Sequence, residues 1–165
     1  MKFQDERCGK IVVVAHCILN QNSRVLGLAY YPAVIGEVVD VLRRYNIGFL
    51  QMPCPELTYA GIKRPSKTKE EYNTPNYRKH CRKIAVSTAN QLEEFAKNGV
   101  KVIAVLGIEN SPSCDAGSFV NETGVFMEEL TLELEERGLE ILMHAINASE
   151  TIIDVKWLEN ILKAG

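Results

Sequence analysis

Three short apolar runs, each leading into a cysteine, constrain this chain more than any other feature. Lys10-Ile11-Val12-Val13-Val14-Ala15-His16-Cys17 is the first; Ile47 to Met52 leads into Pro53-Cys54-Pro55-Glu56, and Val100 to Gly107 leads into Ser111-Pro112-Ser113-Cys114. Runs of this length, rich in β-branched residues and closed by polar or proline-containing stretches, read as strands buried on both faces. If the strands are parallel, all three sulfurs emerge at the same edge of one sheet.

Helical spacing between the runs makes them parallel. A helix is expected to open at Tyr31-Pro32, with proline at a permitted first position. Val34, Ile35, Val38, Val39 and Leu42 form its apolar face, and it ends near Asn46. A strand-helix-strand crossover almost always joins parallel strands. Cys54 to about Tyr72 shows no period and reads as one long functional loop. Thr74-Pro75 then starts a helix that runs to the stop signal Asn98-Gly99. After a second polar loop from Asp115 to Thr123, Val125, Phe126, Leu130 and Leu134 face inward on a helix whose acidic side carries Glu128, Glu129 and Glu133.

Leu139 to Ile146 reads as a fourth strand, and Asn147 with Glu150 as a capping pair. Ile152, Ile153, Trp157, Leu158 and Ile161 then line a terminal helix. The expectation is a single α/β domain spanning residues 1–165, a Rossmann-like open parallel sheet of four or five strands with helices on both faces. At 165 residues, 46% hydrophobic and 24% charged, the chain has ample material for one core. A net charge of −2 argues against a nucleic-acid partner. No run approaches the roughly 18 apolar residues of a membrane span, and the mixed-charge N-terminus lacks a signal-peptide core, so a cytoplasmic protein is expected.

Ligands of open α/β sheets bind outside the carboxyl ends of the strands, where Cys17, Cys54 and Cys114 are expected to gather. They are 37 and 60 residues apart, so no local metal motif is involved. Three soft thiolates suit an iron-sulfur cluster or zinc and leave one coordination position open. Cys8 and Cys81 are read as packing residues. His16-Cys17 with Arg24 misses the phosphatase loop by one residue and has no glycine, and no Walker or dinucleotide motif is present. Between Lys63 and Lys83 there is a local charge excess of +6. Arg78, Lys79, Arg82 and Lys83 read as a solvated helix face, while Lys63 and Arg64 lie close enough to Cys54 to meet a substrate.

In these contexts the chain resembles the thiouracil desulfidase family. The resemblance rests on Cys17 with Asn20 and Arg24, on Cys54-Pro55-Glu56 with Gly61 and Arg64, and on Ser111-Pro112-Ser113-Cys114 followed by Gly117, Phe119 and Gly124. It departs at Asp115, where glycine is usual, and at Glu109-Asn110, where a lysine is usual. The resemblance implies a 4Fe-4S cluster held by Cys17, Cys54 and Cys114, oxygen-labile because one iron stays open to the sulfur of a small thiolated substrate. It implies a reaction in which water replaces that sulfur and hydrogen sulfide is released. Glu56, Ser111 and Ser113 are then the catalytic candidates, and Arg24, Asn20 and Arg64 the substrate-binding ones. A non-catalytic iron-sulfur or zinc-binding sensor of sulfide is the alternative. The sequence leaves the oligomeric state open.

Overall fold

The computed structural model describes residues 3–118 and 120–165; Phe119, one of the residues carrying the family resemblance, lies outside them. Four strands, β1 (Lys10–Val14), β2 (Gly48–Gln51), β3 (Lys101–Ile108) and β4 (Leu142–Ile146), form one sheet in the order β2-β1-β3-β4. Every pairing is parallel: Ile11 to Val14 lie beside Gly48 to Gln51, and Val14 beside Leu106. The expected α/β architecture is therefore present, with four strands.

Alternation along the central strands divides the core. Val12 and Val14 of β1, with Ala104, Leu106 and Ile108 of β3, pack under α2 (Gly36–Arg44) and α7 (Ile152–Ala164). Val13 and Val105 point the other way, under α5 (Pro75–Lys97) and α6 (Val125–Glu136). Side chains of opposite parity leave opposite faces of a strand, so a fully apolar run needs a helical layer on each side. Thr74 caps α5 as expected, its hydroxyl accepting the Tyr77 amide at 3.2 Å. Among the described residues no helix is long and apolar enough to cross a membrane.

Several boundaries differ from the sequence reading. The first long helix opens at Gly36, not at Tyr31-Pro32, because residues 31–35 lie as an irregular lead-in whose Ile35 amide bonds the Ile18 carbonyl at 2.9 Å. The stretch after Cys54 is not one loop: it holds α3 (Pro55–Ala60) and α4 (Lys69–Tyr72), the latter closed by a reciprocal capping box between Thr68 and Glu71. β4 starts at Leu142, three residues late. Asn147 caps no helix; its side chain accepts the Ser149 and Glu150 amides in a turn, and α7 begins at Ile152.

The solvated-face reading of the basic stretch is corrected too. Arg78 donates to Glu129 at 3.0 Å and to Glu128 at 2.6 Å, Arg82 reaches Glu129 at 3.1 Å, and Lys69 reaches Glu128 at 2.6 Å. Glu129, 3% exposed, lies inside the α5–α6 contact, not on an outer acidic face. Basic and acidic faces thus meet each other, which satisfies a carboxylate that would otherwise be buried alone. Lys79 and Lys83 remain exposed. Cys81 is buried as expected, whereas Cys8 is exposed and not a packing residue.

Candidate functional site

Strand order places the site. β1 lies between β2 and β3, so the chain leaves β1 in one direction to form β2 and returns past it to form β3. That reversal opens a crevice beyond the strand ends. The three strands that run into cysteines are these three neighbours, while β4, which has none, lies at the far edge. Cys17, Cys54 and Cys114 all line a single cavity of about 150 Å³ there. An engineered apolar cavity of roughly that volume takes a benzene-sized guest.

Each thiol is held by its own local structure. Cys17 lies in the single turn α1 (His16–Leu19), which follows β1 directly. Its carbonyl accepts the buried Gln21 side chain at 2.7 Å, and the Gln21 oxygen accepts the Tyr30 amide at 3.1 Å, closing the loop over the site. Cys54 is the N-cap of α3; its sulfur accepts the Leu57 amide at 3.4 Å, with Pro55 in the first turn. Cys114 ends a tight turn. Ser111 Oγ accepts the Cys114 amide at 2.9 Å, and the Cys114 carbonyl accepts the Ile108 amide at 2.9 Å. Gly107 and Gly124 allow this turn to pack, since a side chain at Gly107 would fall on the Cys114 carbonyl oxygen and one at Gly124 on the Ser113 carbonyl.

The electrostatics keep the thiols protonated. Burial raises the Cys17 thiol to about 11, against the pull of Arg24 and with a further push from Cys54. Burial also raises Cys54, opposed by the Leu57 amide and Arg64. Cys114 is pushed well above the ordinary thiol range by burial first and then by Cys54 and Cys17.

The other expected site residues divide. Glu56, Arg24 and Ser111 line the cavity with the thiols. Arg64 lines it as well, 6% exposed, and also ties the loops together. It donates to the Ser23 carbonyl at 2.8 Å, the Gly61 carbonyl at 3.1 Å and Glu56 at 3.4 Å. Ser113 does not line the cavity: it is fully buried and its hydroxyl pairs with Tyr77 Oη at 2.7 Å on the α5 side. Asn20 does not line it either, because its side-chain oxygen accepts the Asn22 amide at 3.2 Å and caps the turn over Gln21–Ser23. Lys63 is exposed and outside the lining.

Sequence reasoning missed His16 and Lys67, both lining the cavity. His16 Nδ1 lies 3.2 Å from the Met52 carbonyl, which fixes that nitrogen as the protonated one. Its place beside Cys17 at the end of a strand was the available signal. Asp115 accepts the Asn110 amide at 2.7 Å and the Gly117 amide at 2.9 Å and so braces the Cys114 turn.

The donor set decides which groups fit. Among the described residues no cluster of three His, Cys, Asp or Glu side chains is gathered to hold a single metal ion. One ion with thiolate bonds of about 2.3 Å needs its sulfurs roughly 4 Å apart. A cluster takes each thiolate on a separate iron and spreads them further. Three soft thiols lining one cavity are a donor set whose chemistry suits an iron-sulfur cluster or zinc.

No protein-family model matches the chain, and no solved structure matches it. The chain is 44% identical over 158 residues to the uncharacterized protein MJ0003 of Methanocaldococcus jannaschii, covering 93% of this chain and 97% of that protein. With identity at that level across nearly the full length of both, the chain belongs to the same family as MJ0003.

Proposed function

We propose that this protein is an iron-sulfur desulfidase that removes sulfur from a small thiocarbonyl compound such as a thiopyrimidine. The observation that carries the reading is that Cys17, Cys54 and Cys114 share one cavity with Glu56 at the reversal point of the sheet. Cys17, Cys54 and Cys114 would hold a 4Fe-4S cluster. When bound, the cluster supplies a thiophilic Lewis acid with an open position for the substrate sulfur.

The chain's own residues account for the remaining chemistry. Glu56 is the carboxylate of the cavity and accepts a proton from the attacking water. Water oxygen bonds to the thiocarbonyl carbon, the carbon–sulfur bond breaks, and both water protons leave on sulfur as hydrogen sulfide. No electrons are gained or lost. Ser111 Oγ already accepts the Ser113 and Cys114 amides, which leaves its O–H to donate toward the substrate. Arg24, beside Cys17, orients an acceptor on the ring. Arg64 holds Glu56 while the cavity is empty. Ser113 and Asn20 take no part in these steps, since neither lines the cavity. All five cysteines are free thiols, which suits a reducing cytoplasm.

Anaerobic reconstitution tests the proposal. About three to four irons per chain are expected, falling sharply in Cys17→Ser, Cys54→Ser and Cys114→Ser; fewer than about three in the wild type overturns it. Sulfide release from 2-thiouracil by the loaded protein, lost in Glu56→Gln, separates an enzyme from a sensor that binds sulfur compounds without hydrolysing them.

A further inference from the structure

Among the described residues, one buried side-chain polar atom has no hydrogen-bond partner: the hydroxyl of Tyr72. Tyr72 is 2% exposed and ends α4, the short helix that the sequence reading took for loop. A buried donor without an acceptor carries its full desolvation penalty, and native folds keep few of them. The ring is well fixed. It packs on Tyr77 with centroids 4.6 Å apart, and Lys67 Nζ lies over the ring, 5.6 Å from its centroid. Glu56 is the carboxylate that acts on the hydroxyl, by its charge and as a neighbouring acceptor, without forming a hydrogen bond to it that meets geometric limits. Burial first and then the Glu56 carboxylate raise its pKa to about 12, so it remains a donor at any working pH.

Glu56 is in the complementary position. The one hydrogen bond its carboxylate receives among the described residues is from Arg64 Nε at 3.4 Å, well beyond the 2.7–2.9 Å typical of a charge-assisted bond. Arg64 is drawn away by its shorter bonds to the Ser23 and Gly61 carbonyls. A weakly served acceptor thus stands beside an unserved donor.

We propose that Tyr72 is a positioning residue for Glu56: when the cavity is filled, the carboxylate turns from Arg64 and accepts the Tyr72 hydroxyl, which aims its other oxygen at the attacking water. This rests on the desulfidase reading for its purpose but not for its geometry. Tyr72 keeps its proton throughout. The proton that Glu56 takes from water is the one returned to the departing sulfur, so the balance of the hydrolysis is unchanged.

Tyr72→Phe removes only the hydroxyl. In a crystal structure of the cluster-loaded wild-type protein, Tyr72 Oη should lie about 2.6–2.8 Å from a Glu56 carboxylate oxygen. A hydroxyl still without an acceptor there overturns the proposal. For sulfide release from 2-thiouracil, Tyr72→Phe should lower kcat about tenfold, as expected for losing one hydrogen bond to a charged group, with KM changed less than twofold. A wild-type kcat overturns it. Because the hydroxyl is unpaired before the cavity is filled, the unloaded variant should melt at the same or a higher temperature. A lower melting temperature marks a merely structural hydrogen bond and also overturns it. If the wild type releases no sulfide, the desulfidase reading fails on its own and the Tyr72–Glu56 distance still decides this proposal.

Discussion

Gly124 stands against Ser113 so closely that any side chain at position 124 would strike the Ser113 carbonyl and crowd the Cys114 amide at 2.8 Å. Its φ of −69° is open to every residue, so contact and not backbone conformation selects glycine. Gly124→Ala must push the Cys114 turn outward. Overpacking of this kind costs about 1–3 kcal/mol, or a fall of roughly 3–10 °C in melting temperature for a chain of this size. Calorimetry checks the loss. Alkylation of Cys114, followed by mass spectrometry, should be faster in the variant.

Arg64 joins three segments through Ser23, Gly61 and Glu56. Arg64→Met leaves a buried carboxylate and two carbonyls without their donor, a loss of about 3–5 kcal/mol in urea denaturation. Arg64→Lys should rescue little of it, because one ammonium cannot span the fork that reaches separate loops.

Thiol reactivity should follow burial. Cys8 is exposed and reacts first with iodoacetamide at pH 7.5. Cys17, raised to about 11, reacts slowly there, and its rate should climb about tenfold per pH unit until that value is reached. A Cys17 that matches Cys8 at pH 7.5 would show that the thiol is not buried in solution.

The same shift makes the unloaded fold sensitive to alkali. An unfolded Cys17 loses its proton near 9 while the folded one holds it to about 11, so the unfolded state binds fewer protons between those values. Stability then falls as pH rises through that window and is unaffected by this group below it. Urea midpoints measured from pH 8 to 11 should decline above 9. Cys17→Ala should make the decline shallower, with the raised Cys54 and Cys114 thiols accounting for the rest.

Placement of the three thiols was legible because each strand announced its own end: a β-branched run, then polarity, then cysteine. The sequence carried no comparable mark for Arg64, whose partners at Ser23 and Gly61 are backbone carbonyls and follow no period. Charge misled in two places. Glu129 looked like surface because it is acidic, yet it is buried between Arg78 and Arg82. Asp154 is likewise buried, accepting from the Asn147 amide at 2.7 Å and pairing with His144 Nε2 at 2.7 Å. Taking apolar residues as the inner stripe of α7 therefore put Ile152 and Ile153 inside, whereas they are 62% and 74% exposed. Ser113 and Asn20 share their motifs with true cavity residues, and only the turn geometry separates a hydroxyl facing Tyr77 from one facing the thiols.

The middle position of β1 also sets a timetable. Its thiol needs a neighbour from the strand made next and another from the strand made third, and the turn bearing the last of them rests on Gly124. During synthesis the ribosome must release three quarters of the polypeptide before the pocket has all its walls. Any guest that needs all three thiols at once finds them together only after that point.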